Sequence, residues 1–155
     1  MWILRCSIIG PEKRKDGFGL LEWFLSQDTN VDGYTNHIWN GITTLEWAKC
    51  TYELLMAIKN GERDKLMVIE RDKLMVIEKD KLMANDKIIQ PGTEMVHSKA
   101  EILHLLAKIW KKDIKITDIE STKSVDRSLK PTWERKLLSE QLLELHSWYY
   151  NTNIY

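Results

Sequence analysis

The sequence has no surplus of charge of either sign: 23 Lys and Arg balance 23 Asp and Glu over 155 residues. A balanced chain sets up no net field toward nucleic acid or an anionic membrane, so neither is expected as a partner. Cysteine is scarce too. Cys6 and Cys50 have no nearby Cys or His at metal-ligand spacing, and two cysteines cannot make a disulfide framework, so buried free thiols in a reducing compartment are expected. No apolar run approaches the roughly 20 residues of a membrane-spanning helix. The apolar start at 1–9 is broken by Arg5 and has no basic leader, unlike a signal peptide. These absences predict a cytoplasmic globular chain, and its length suits one ordinary domain.

What is present alternates between strand and helix signals. Residues 2–9 are short, rich in β-favouring types and apolar on both faces, then stopped by Gly10-Pro11, which predicts a strand covered on both sides inside a parallel sheet. Phe18, Leu20, Leu21, Trp23, Phe24 and Leu25 have helical spacing over 18–27. Residues 28–36 hold the Asp, Asn and Gly chemistry of a loop with a brief extended stretch. A helix is expected from Thr43 or Thr44, ending at Asn60-Gly61. Residues 87–90 read as a strand ended by Pro91-Gly92, and Ser98 with Glu101 forms a capping box for a helix through Trp110. Residues 113–119 read as a half-exposed strand, and 131–150 as a last helix with Pro131 at its start and Leu137, Leu138, Leu142, Leu145 and Trp148 on its apolar side. The class is α/β with helices predominating.

Three segments follow from this reading: 1–60, a repeat at 61–86, and 87–155. The repeat runs Glu62-Arg-Asp-Lys-Leu-Met-Val-Ile69, Glu70-Arg-Asp-Lys-Leu-Met-Val-Ile77, Glu78-Lys-Asp-Lys-Leu-Met-Ala-Asn85. Its period of eight carries an apolar block around a helix rather than along one stripe, so it makes no coiled-coil seam. Known solenoid units are longer. Duplication of a connector explains it, with an interaction or structural module working through this charged surface as the alternative.

Four stretches in order then carry a resemblance. They are Leu4-Arg-Cys-Ser-Ile-Ile-Gly-Pro11; Gly33-Tyr-Thr-Asn-His-Ile-Trp-Asn-Gly-Ile-Thr-Thr-Leu-Glu-Trp-Ala-Lys49; Lys87-Ile-Ile-Gln-Pro91 followed by Ser98-Lys-Ala-Glu-Ile-Leu103; and Asp126-Arg-Ser-Leu129. Together they resemble the C-terminal half of Rossmann-type extended short-chain dehydrogenases, nearest to dTDP-4-dehydrorhamnose reductases and related nucleotide-sugar epimerases. The resemblance implies an incomplete α/β fold and a sugar-nucleotide surface built from Ser7, Asn36, Trp39, Asn40 and Arg127, with Gly10 and Pro11 on the substrate side. An arginine suits a diphosphate because its planar fork can pair bidentately.

The same resemblance implies NAD(P)H held by a glycine-rich strand-turn-helix, and a Tyr-x-x-x-Lys pair for proton transfer to a keto sugar. This sequence has neither: Tyr34, Tyr52, Tyr149, Tyr150 and Tyr155 have no lysine four residues on, and Gly17-Phe-Gly19 follows a charged loop. No catalytic residue and no cofactor bound by this chain alone are therefore expected. The activity implied for the whole family member is NAD(P)H-dependent reduction of a 4-keto-6-deoxy sugar nucleotide. A separate chain carrying the cofactor half, or self-association through the first strand, would complete the sheet. Glu101 and His104 have a carboxylate-metal spacing but lack the further glutamates such sites need, so no metal is expected. His37 reads as an exposed loop residue, His146 as structural, and Trp23, Trp47, Trp110 and Trp148 as mostly core.

Overall fold

The computed structural model describes residues 2–12, 19–61 and 87–151; the eight-residue repeat and Gly17-Phe18 lie outside the described residues. Among the described residues four helices and small, mostly parallel sheets make a mixed α/β chain. The elements in order are β1 (Trp2–Leu4), β2 (Ile8–Ile9), α1 (Leu20–Leu25), β3 (Val31–Tyr34), β4 (His37–Trp39), β5 (Ile42–Thr43) and α2 (Thr44–Lys59). They continue with β6 (Lys87–Ile89), β7 (Pro91–Gly92), β8 (His97–Ser98), α3 (Lys99–Trp110), β9 (Ile116–Ile119), β10 (Val125–Asp126), β11 (Trp133–Glu134) and α4 (Leu138–Asn151).

Helix boundaries follow local chemistry. Thr43 caps α2 by accepting the Glu46 N–H at 3.2 Å, and Gly61 leaves the helix at φ 72°. The Ser98–Glu101 capping box is formed in both directions, at 3.1 and 2.7 Å. Its helix ends with Lys111 in the left-handed region, φ 52°.

Three expectations are corrected. The first strand is two strands, because the chain changes partner: β1 pairs with β6 and β2 with β5, both parallel. Ile8 is 51% exposed rather than covered, since its side of β2 opens on a cleft. The last helix starts at Leu138, seven residues after Pro131, because Trp133 and Glu134 pair with Pro91 and Gly92 first. Gln141 therefore joins Leu138, Leu142 and Leu145 in the buried stripe, while Leu137 and Trp148 are exposed. Among the tryptophans read as core, Trp110 is buried, Trp23 is half-buried, and Trp47 and Trp148 are exposed.

Two cores hold these elements. Leu21 and Phe24 of α1, Leu103 and Leu106 of α3, and Leu138, Leu142 and Leu145 of α4 form the first, each contributing about 1.5–3 kcal/mol by burial. Ile42, Cys50, Leu54, Ile89 and Trp133 form the second, around the inner face of α2. Gly33 lets α3 come against β3: a Cβ there would lie 2.8 Å from the Ala100 Cα. Among the described residues no helix is long and apolar enough to cross a membrane.

Candidate functional site

Among the described residues β4 is the centre of a three-stranded sheet, with β10 parallel on one side and β8 antiparallel on the other. It floors a cleft of about 580 Å³. Ser7, Ile8 and Ile9 form one wall, Leu20 and Trp23 of α1 and Tyr34 of β3 another. Lys99 and Ile102 of α3 face it with Val125 and Arg127, and His37, Ile38 and Trp39 lie along the floor.

Of the five residues the sequence singled out, Ser7, Trp39 and Arg127 line this cleft. Trp39 donates its indole N–H to the Ser7 hydroxyl at 2.6 Å. Gly41 makes that pairing fit: a Cβ there would overlap both the Ser7 carbonyl and the Trp39 ring. Asn36 and Asn40 do not line the cleft; they flank β4 and act on the backbone beyond it. Asn36 accepts the Ser121 N–H at 3.0 Å and donates to its carbonyl at 2.7 Å. Asn40, 2% exposed, does the same at Leu129 and also donates to the Thr93 carbonyl at 3.0 Å. The two amides thus pin the chain on either side of Arg127. The Arg127 N–H then donates to the Ile38 carbonyl at 2.9 Å, which fixes the arginine beside the floor. Gly10 packs against Thr44, and neither it nor Pro11 lines the cleft.

Sequence reasoning missed Tyr34, Trp23 and Lys99. Lys99 read as nothing more than the first residue of a capped helix. In the fold its ammonium lies 4.7 Å from the Trp23 ring centroid and 5.0 Å from that of Tyr34. Burial pushes the Lys99 ammonium below the usual lysine range, with Asp32 opposing that electrostatically. His37, read as an exposed loop residue, is half-buried on the floor, 4.6 Å from Tyr34 between ring centroids. His146 packs edge-on to Trp110 at 5.0 Å. Glu101 is taken up by its cap, and His104 contacts Asp118 at 2.9 Å.

Among the described residues no carboxylate lines the cleft, and two cations and four rings do. Such a surface attracts an anionic ligand and offers π-faces to a flat one.

No family model and no curated protein matches this sequence. Solved structures do match. A dTDP-4-dehydrorhamnose reductase from Clostridium acetobutylicum superposes with a TM-score of 0.59 at 11% identity, over 96% of this chain and 49% of that one. The Bacillus anthracis reductase, in complex with NADP, gives 0.59 at 8% identity, over 97% and 48%. UDP-glucose 4-epimerase from Thermotoga maritima, with UDP-glucose, gives 0.52 at 16% identity, over 97% and 46%. The chain has the fold of part of a nucleotide-sugar reductase. It spans about half the length of the proteins it matches.

The strand-to-helix turns at β5–α2 and β8–α3 do not fit a dinucleotide. A pyrophosphate needs open backbone N–H groups at a strand-to-helix turn. At both of these turns N–H groups are taken up within the fold. At β5–α2, Thr43 caps the helix and its own N–H donates to Gln141 at 2.9 Å. At β8–α3, the Ser98–Glu101 box takes the Ser98 and Glu101 N–H groups.

Proposed function

We propose that the cleft holds a sugar nucleotide, and that these residues are the C-terminal, substrate-holding portion of a cytoplasmic nucleotide-sugar reductase or epimerase. The chemistry of the complete protein would be NAD(P)H-dependent reduction of a 4-keto-6-deoxy sugar nucleotide, as in dTDP- or UDP-rhamnose formation. The observation that carries this reading is the ring-lined cleft, without a carboxylate among its described residues and with Arg127 at its edge, in a fold shared with proteins of that kind. Arg127 pairs with the diphosphate, Trp39 and its neighbouring rings take the flat parts of the ligand, and the Ser7 hydroxyl, fixed by the indole, presents its O–H and its remaining lone pair to a sugar hydroxyl.

These residues supply binding and orientation. Hydride and proton transfer belong to groups outside them, so the 155-residue chain alone turns over no substrate. Calorimetry with UDP-glucose and dTDP-glucose tests the binding half of the proposal, and absence of heat with both defeats it. Incubation with NADPH and a 4-keto sugar nucleotide tests the other half: consumption of NADPH above background would defeat it.

A second reading, a separate chain carrying the cofactor half, is favoured by one feature. β1 and β6 form a two-stranded parallel sheet, and parallel strands are normally found within wider sheets covered on both faces. A sheet of this size offers its edge to further strands from a partner or from a second copy. Activity that appears only on mixing the two chains would establish this reading.

A further inference from the structure

We propose that Lys99 is the residue that makes the cleft select charged ligands over uncharged ones, by receiving a phosphate of the ligand; this rests on the sugar-nucleotide reading above.

Several cations of the fold are held by partners outside the cleft. Lys49 and Lys136 both pair with Glu144, Arg135 with Glu46 and Glu53, and Lys112 donates to the Leu25 carbonyl at 2.8 Å. Lys99 lies in the cleft, where its ammonium meets the faces of Trp23 and Tyr34 and, among the described residues, no carboxylate or carbonyl oxygen. The rings hold the charge in place but accept no hydrogen bond of ordinary strength, so its N–H donors stay available. Half-burial has removed part of its water. The lowered pKa records that loss, and an anion arriving in the cleft would offset it.

Geometry favours the same outcome. A long lysine side chain normally gives up much rotamer freedom on binding, and one already seated between two rings gives up less. Among the described residues the charged and titratable groups around it are Asp32 on β3, Tyr34, His37 and Arg127, and the one carboxylate of these, on Asp32, is exposed and not part of the lining. Arg127 is exposed at the mouth, whereas Lys99 is half-buried. The two therefore differ in kind: a fork that recognises shape at the rim and a point charge that recognises charge inside.

The test uses the full chain and its variants Lys99→Met and Lys99→Arg, each checked for folding by circular dichroism. Binding of UDP-glucose, pyrophosphate and uridine is measured by calorimetry or by tryptophan fluorescence, which Trp23 should report. The expected result is that Lys99→Met weakens UDP-glucose and pyrophosphate by about tenfold or more, leaves uridine unchanged, and that Lys99→Arg restores binding of the two anions. If Lys99→Met binds UDP-glucose as the wild type does, the role of Lys99 is overturned while the sugar-nucleotide reading survives. If pyrophosphate binds in a Lys99-dependent way but UDP-glucose binds no tighter, Lys99 stands and the nucleotide reading falls. If the wild type binds neither anion, both fall.

Discussion

Asn40 grips the backbone of Leu129 from both sides, accepting its N–H and donating to its carbonyl, each at 2.7 Å. Because Asn40 is buried, its removal strands the Leu129 and Thr93 groups away from water. Asn40→Ala should cost roughly 2–4 kcal/mol, the sum of more than one unsatisfied buried group. Asn40→Asp should be no milder, since an oxygen would then face two carbonyls. Urea denaturation measures both, and a loss under about 0.5 kcal/mol would show that the grip is unimportant.

Trp39 and Ser7 form a simpler pair, joined by one hydrogen bond. Trp39→Phe and Ser7→Ala should each cost about 1 kcal/mol from that bond, and the double variant little more than either. Strict additivity would mean that the two side chains act independently. Gly41→Ala should exceed both, because its Cβ has no room.

Arg135 sits between α2 and the start of α4, with its Nε 2.7 Å from Glu46 and its fork 3.0–3.1 Å from Glu53. The Glu46 side chain is 3% exposed. Burial works against the Arg135 charge, but its hydrogen bonds to Glu53 and Glu46 outweigh that and hold its pKa above the usual arginine range. Arg135→Met should cost about 3–5 kcal/mol by leaving a buried carboxylate short of its partner. Adding Glu46→Gln should restore much of this, as read from thermal unfolding.

Glu144 accepts from Lys136 and Lys49, which hold its carboxyl below the usual glutamate value of 4.5. A depressed carboxylate contributes stability above its unfolded-state pKa and loses it as pH falls through the folded one. The wild type should therefore exceed Glu144→Gln in stability at pH 7, with the difference shrinking below about pH 4.5. A difference that grows in acid would contradict this. The group is too exposed for the effect to be large.

Cys50 is fully buried, and burial pushes its thiol up to about 12. It should resist a thiol reagent at pH 8 in the folded protein and react promptly in denaturant. Prompt native-state labelling at Cys50, mapped by mass spectrometry, would show that α2 opens readily.

The parts of the fold legible in the sequence were those set by short-range chemistry. The Ser98–Glu101 box and the Thr43 cap each need only residues three apart, so α3 and α2 begin where the pattern places them. The division of 2–9 into two strands was not legible, because it depends on β5 and β6, far along the chain. The same limit hid β11, whose partner is Pro91-Gly92, a pair that reads locally as a stop signal. At the cleft, resemblance led to Ser7, Trp39 and Arg127, and also to Asn36 and Asn40, which hold the backbone around the cleft rather than line it. Lys99 escaped because its significance lies in Trp23 and Tyr34, on two other elements.

The pairing of distant strands also has a consequence in time. Asn36 waits for Ser121, 85 residues later in the chain. At synthesis rates of about 5–20 residues per second, that is a delay of roughly 4–17 seconds during translation. Through that interval β3 and β4 have emerged while β9 and β10 do not yet exist, and their apolar residues are open to whatever else is nearby. Pairing of β3 and β4 with these strands therefore has to wait until the chain on either side of Ser121 has been made.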